Sequence, residues 1–252
     1  MTTIEICVED EAGVAAAVAG GADRIELCGA LALGGLTPSV ALLRRALVHA
    51  RPAGVAVHAM VRPRAGDFAY NADEVALAID EAQALLAAGA DGLVFGACRQ
   101  RQLDEAVLAR WTAAFPAVPS TLHRAIDLVD DPVAAVDRAV VLGFARILSS
   151  GGAATALEGA DVLRAMIAAA RGRCRIAAGA GVRAANAAVL IARSGVDELH
   201  GSAAVSRPSP EPAVIAMGFA AGAGRRTDPD EVRALCAAVR TQTSLMPITD
   251  QL

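Results

Sequence analysis

The sequence predicts a single (β/α)8 barrel, and three observations predict it. One phrase recurs four times, as GADRIEL at 21–27, GADGLVF at 89–95, GFARILS at 143–149 and GVDELHG at 195–201. Each copy follows an alanine-rich helical stretch and leads into an apolar alternation, so the glycine reads as a helix C-cap and the rest as a strand. The spacings of 68, 54 and 52 residues are too long for one strand-helix unit and suit two. The length of 252 residues is that of a typical barrel of this kind.

Taken in order, the elements fill that frame. Strand one is TTIEICV at 2–8 and strand two lies in the first repeat. Strand three is VAVHAMV at 55–61, strand four the second repeat, strand five STLHRAI at 120–126 and strand six the third repeat. Strand seven is CRIAAGA at 174–180, strand eight the fourth repeat, and DPDEVRALCAAVR at 228–240 is the eighth helix. No linker interrupts residues 1–252, which read as one domain. The stretch 203–227, rich in Pro, Gly and Ser, reads as a long loop before that last helix. An open doubly wound sheet is the alternative, and a GxGxxG turn after the first strand is missing.

Composition narrows the chemistry. All 23 basic residues are arginine. Without lysine there is no Schiff-base catalysis, no lysine-anchored pyridoxal cofactor and no P-loop lysine. A net charge of −4, with no basic cluster among aromatics, argues against nucleic acid. No apolar run reaches the ~18 residues of a membrane span, and the acidic N-terminus has no signal-peptide pattern. A cytoplasmic protein with a metal or small-molecule ligand is expected. Five scattered cysteines are expected to be free thiols.

Strand parity then selects the interior. Barrel strands turn apolar residues outward to the helices, which leaves Glu5, Cys7, Arg24, Glu26, Cys28, His58, Met60, Arg62, Thr121, His123, Ser149, Glu198, His200 and Ser202 facing in. Glu5, Arg24, Glu26 and Glu198 suit an ion-pair network in the lower layers, because buried charges must be paired. Cys7, Cys28, His58, His123 and His200 fall near the C-terminal strand ends, where barrel active sites lie.

Three constellations carry chemistry. Cys7 and Cys28 end neighbouring strands, and two thiolates suit Cu(I), with Met60 or Cys98 as a third donor. The glycine-bearing turns SSGG at 149–152, AGAG at 178–181 and HGSAA at 200–204 present amides to an anion. The expected anion set is Ser150, Gly151, Gly152, Gly179, Gly181, Gly201 and Ser202, with Arg62 and Arg124. The segments RPRAGDF and HRAID bring Arg62, Arg64, Asp67, Arg124 and Asp127 to the same rim. If the barrel is an enzyme, His123 or His58 moves a proton and Glu26 or Asp127 orients it. The reaction would be a lyase or isomerase step on a small phosphorylated or carboxylated metabolite. A third reading keeps the barrel only as an interaction scaffold.

The motifs RIELC at 24–28, GGLTPS at 34–39, RPRAGDF with Tyr70, HRAID, ILSSGG at 147–152, ALEG at 156–159 and HGSA at 200–203 resemble those of the CutC copper homeostasis family, from about residue 3 to 204. The resemblance implies a cytoplasmic, homo-oligomeric barrel linked to copper tolerance and binding Cu(I). In the family's animal members two cysteines on the first two strands are the proposed ligands, and Cys7 and Cys28 stand at the matching positions. The sequence departs from the family pattern at Ala178-Gly179-Ala180-Gly181, where Pro-Gly-Gly-Gly is usual. At Gly29-Ala30 it lacks a common polar residue.

Overall fold

A computed structural model describes residues 2–243; Met1 and 244–252, the ends of the expected 1–252 domain, lie outside the described residues. Eight parallel strands close into a barrel. They are β1 (Thr3–Val8), β2 (Arg24–Leu27), β3 (Ala56–Met60), β4 (Gly92–Phe95), β5 (Ser120–Leu122), β6 (Arg146–Ser149), β7 (Arg175–Ala178) and β8 (Glu198–Gly201). Seven helices alternate with them: α1 (Glu11–Gly20), α2 (Val40–Ala50), α3 (Ala72–Ala88), α4 (Glu105–Ala114), α5 (Pro132–Val141), α6 (Ala160–Ala170) and α7 (Ala184–Ser194). An eighth, α8 (Pro229–Thr243), follows β8 and packs between α1 and α7.

The recurring phrase has a physical reason. Its glycines, Gly21, Gly89, Gly143 and Gly195, all take positive φ where a helix ends, a conformation that costs a residue with a Cβ about 1–2 kcal/mol. In the first two copies the following aspartate bonds the preceding strand. Asp23 accepts from the Ile4 amide and Asp91 from the Val57 amide, each at 2.8 Å. Each copy therefore stops a helix, and the first two also anchor the next strand in register.

The apolar core lies between the sheet and the helices. Ile4, Ile6, Ile25, Leu27, Val57, Leu93, Phe95, Leu122, Ile147 and Leu199 are wholly buried on the outer face of the strands. Small residues such as Ala17, Ala46, Ala78, Ala82 and Ala139 meet them from the helices, so much of the alanine serves close helix-sheet packing. The single tryptophan, Trp111 on α4, stacks on Phe95 at 4.2 Å.

Three features differ from what the sequence predicts. The 203–227 segment is partly ordered: Ala204–Ser206 pairs antiparallel with Arg225–Thr227, and Pro212–Ala216 forms a short helix. A second small ribbon, Cys98–Arg99 with Gln102–Leu103, follows β4. Strand six also has the opposite parity at its end. Ser149 turns outward, with Met166 of α6 3.6 Å from its hydroxyl, while Arg146 faces the barrel axis.

Candidate functional site

The charged layer lies low in the barrel. β1 pairs with both β2 and β8, which places Glu5 level with Arg24 and His200. Arg24 donates to Glu5 at 2.5 Å and also to Glu198. Arg146 reaches Glu5 at 3.1 Å and Glu198 at 3.2 Å, so two carboxylates meet two guanidiniums. The expected network is therefore present with one change of membership: Arg146 belongs to it, and Glu26 sits higher. Arg146 was legible, because it holds the fourth place of its repeat as Arg24 does of the first.

Above this layer the strand ends open into a cavity of about 350 Å³, with Cys7, Glu26, Met60, Phe68, His123 and His200 in its wall. Cys7 is half-buried and Cys28 fully buried. One donor atom each from Cys7, Glu26 and His200 lie within 4.8 Å of one another. The register explains the trio: Cys7 is level with Glu26 on β2, and His200 with Glu5 on β1. Cys28 is one pleat further along. Its thiol donates to Glu26 Oε2 at 3.5 Å, and it packs against Met60 and Val94. Glu26 thus neighbours both cysteines.

The electrostatics of this corner are strongly coupled. Burial works against a charged His200, but Glu26, Cys7 and Glu5 outweigh it and hold the imidazole protonated well above its ordinary range. Burial likewise opposes the Glu5 carboxylate, and His200, Arg24 and Arg146 overcome it, driving its pKa well down. Burial raises Glu26, and burial with the neighbouring Glu26 and Cys7 pushes the Cys28 thiol well up. One oxygen of Glu26, Oε1, is buried without a hydrogen-bond partner.

The other two interior histidines are neutral. His58 accepts from Arg146 at 3.2 Å, and burial and that guanidinium lower its pKa to about 4. His123 accepts the Ala125 amide on Nδ1 at 3.2 Å, and burial and Arg62 bring its pKa to about 3. Both rings occupy space left by glycines of β4 and its end: a Cβ on Gly92 would lie 2.7 Å from His58, and one on Gly96 2.5 Å from His123.

The loop after β6 corrects the anion reading. Asp127 places its carboxylate in the turn, accepting from the amides of Ser150 at 3.0 Å and Gly152 at 3.2 Å. It also accepts from the hydroxyls of Ser149 at 2.5 Å and Ser150 at 2.9 Å. The Gly151 amide donates to Ser149 Oγ. The chain's own carboxylate therefore fills the cradle expected of Ser150, Gly151 and Gly152, and Asp127 is not free to orient a histidine. Arg124 is held by Asp127 at 2.8 Å and by Ser150 Oγ at 3.1 Å. Arg62 donates to the carbonyls of Leu33, Gly35 and Gly66 and lies over Phe68, which closes two loops. The Gly179 amide pairs with the Ser149 carbonyl at 2.9 Å. Gly181, Gly201 and Ser202 do line the cavity.

Comparisons with known proteins follow the same outline. The CutC family model matches residues 2–205. A CutC family protein of Sinorhizobium medicae (strain WSM419) is 45% identical over 237 residues, covering 94% of this chain and 95% of the relative. One from Caulobacter vibrioides (strain NA1000 / CB15N) is 44% identical over 219 residues, covering 86% and 88%. Among solved structures, a Streptococcus agalactiae protein described as copper homeostasis protein CutC superposes with a TM-score of 0.76 at 29% identity. It covers 80% of this chain and 99% of its own.

Proposed function

The chain belongs to the CutC family, and from that premise we propose that it is a copper homeostasis protein binding Cu(I) through the thiolates of Cys7 and Cys28. The observation that carries this is that one buried carboxylate in the cavity wall neighbours both cysteines, Cys7 in the same wall and Cys28 buried behind it. Glu26 receives the Cys28 thiol at 3.5 Å and lies within 4.8 Å of the Cys7 donor atom. Bound Cu(I) would be a soft, low-coordinate cation, and the donor set fits it: two thiols, with the Met60 thioether beside Cys28. The buried, unpartnered Oε1 of Glu26 supports a cation in this corner.

The chain's own residues supply what such binding needs. The Cys28 thiol is held protonated by its surroundings, so it gives up a proton when it ligates, and Glu26 is the base in contact with it. No described helix is long and apolar enough to cross a membrane. A cytoplasmic, homo-oligomeric protein is part of the same proposal; the five free thiols support a reducing compartment, and sedimentation of the purified protein tests assembly.

The test is anaerobic titration with Cu(I) against a chromogenic chelator. Wild type is expected to take one ion from the chelator, and the Cys7→Ser/Cys28→Ser double variant to take none. Equal competition by the two proteins would remove this site.

A further inference from the structure

We infer that the mouth of the barrel also carries a divalent-cation site of the zinc class, built from Cys7 Sγ, His200 Nε2 and the Glu26 carboxylate. It shares Cys7 with the copper reading, in which Glu26 serves only as a base, and differs in taking His200 Nε2 and the Glu26 carboxylate as ligands in place of Cys28. The first support is geometric. All three donor atoms lie within 4.8 Å of one another, and His200 Nε2 is 3.6 Å from Glu26 Oε2. The edge of a tetrahedron with ~2.1 Å arms, the zinc–nitrogen and zinc–oxygen distance, is about 3.5 Å. Sulfur, nitrogen and oxygen donors together suit a borderline ion such as zinc, whereas soft sulfur donors favour Cu(I).

The second support is the outer shell. His200 Nδ1 is 2.8 Å from Glu5 Oε1, which leaves Nε2 as the nitrogen facing Cys7 and Glu26. Glu5 is itself fixed by Arg24 and Arg146. A metal-ligating histidine whose other nitrogen is held by a carboxylate is the usual arrangement at such sites, and the carboxylate sets both tautomer and ring orientation. Glu5 is thus a positioning residue, acting through His200.

Charge selects the ion. Below the site, Glu5 and Glu198 are matched by Arg24 and Arg146. A ligating Cys7 thiolate and the Glu26 carboxylate add two negative charges, and His200, whose Nε2 proton the metal displaces on ligation, adds none. A divalent ion neutralises that set, while a monovalent one leaves a buried net charge, which is costly. Three protein ligands beside a cavity of about 350 Å³ leave a coordination position open to a small molecule, the arrangement of zinc sites that bind exchangeable ligands.

Cobalt(II) is the probe, because a thiolate bound to it gives a near-ultraviolet charge-transfer band and four-coordination intensifies its visible bands. Metal-free protein, prepared without oxygen, is titrated with Co(II) and then with Zn(II). Wild type and Cys28→Ser are expected to develop both bands at one equivalent and to lose them when one equivalent of Zn(II) is added. Cys7→Ser is expected to lose the charge-transfer band, and Glu26→Gln to bind more weakly by at least about tenfold. Glu5→Gln is expected to weaken Co(II) by about 10–100-fold and to alter the nitrogen shifts that report the His200 tautomer, a signature that lost packing alone does not move. Circular dichroism of each variant separates ligand loss from misfolding, and Glu26→Gln, which keeps side-chain shape, stands in where Glu5→Gln does not fold. Absence of bands in wild type, their survival in Cys7→Ser, or their loss in folded Cys28→Ser overturns the site. Cys28→Ser also separates the two readings, since it is expected to impair Cu(I) and spare Co(II).

Discussion

The two sides of the barrel mouth treat polar groups in opposite ways. Beside β6 the loop amides, two serine hydroxyls and Arg124 all converge on Asp127, and the turn is complete within the chain. Across the mouth, beside β1, β2 and β8, Glu26 keeps an oxygen without a partner and Cys7 faces the cavity. Of these two sides, only the second offers a ligand open partners. Glycine-rich turns attract attention in a sequence, yet here they are satisfied internally, and the chemistry left open is a thiol, a carboxylate and an imidazole.

Removing the satisfied carboxylate should have the largest effect. Asp127→Ala leaves several buried donors unpaired, at about 1–3 kcal/mol each, so a loss of roughly 3 kcal/mol or more is expected in denaturant unfolding. Glu26→Gln across the mouth should cost clearly less, because the isosteric amide still accepts from the Cys28 thiol, burial already disfavours the Glu26 carboxylate, and His200 can release its proton once that charge is gone. Equal losses for the two variants would erase the contrast between the sides.

Protonation gives the next effect. His123 is buried neutral, with its pKa lowered to about 3, so its contribution is fully present above the unfolded value of ~6.5 and is lost as pH falls toward 3. From pH 7 to pH 5 that amounts to about 2 kcal/mol, at about 1.4 kcal/mol per pH unit below 6.5. His123→Asn keeps an acceptor for the Ala125 amide and does not titrate. Its unfolding free energy should therefore fall by about 2 kcal/mol less than that of wild type over this interval. Parallel pH profiles would show that the ring is hydrated at the mouth.

The smallest effect sharpens the open side. Ala180 lines the cavity at a φ of 86°, where glycine is the unstrained residue. Ala180→Gly should raise stability by about 0.5 kcal/mol, the relief of strain being partly offset by unfolded-chain entropy. A measured loss would mean that the alanine methyl packs more tightly than its backbone is strained.

The fold was legible because its punctuation is local. Gly21, Gly89, Gly143 and Gly195 end helices whatever surrounds them, and alternation alone marks Ile4, Ile6, Ile25 and Leu27 as outward. Most of the axis was legible for the same reason, and parity found Glu5, Arg24, His58 and His200. What escaped depends on contacts distant in sequence. Alternation counted from the strand's end points Ser149 inward, but Arg146 and Ile147 fix the opposite phase, the arginine pairing with Glu5 on the axis. The SSGG turn looked like an anion cradle, and only the fold brings Asp127, more than 20 residues earlier, into it. The grouping of Cys7 with Glu26 and His200, and the place of Cys28 one pleat away, follow from strand register.

The charged axis also acts as a lock on the barrel's shear. Glu5 on β1 is level with Arg24 on β2 and His200 on β8, and Arg146 on β6 reaches across to it. Sliding β1 by one residue against either neighbour would turn Glu5 into the apolar shell and place Ile4 or Ile6 opposite the guanidiniums. An aliphatic interior tolerates such a slip better, since one branched side chain substitutes for another. With point charges on four strands only one stagger neutralises every group, so the closure that shapes the mouth is chosen at the axis beneath it.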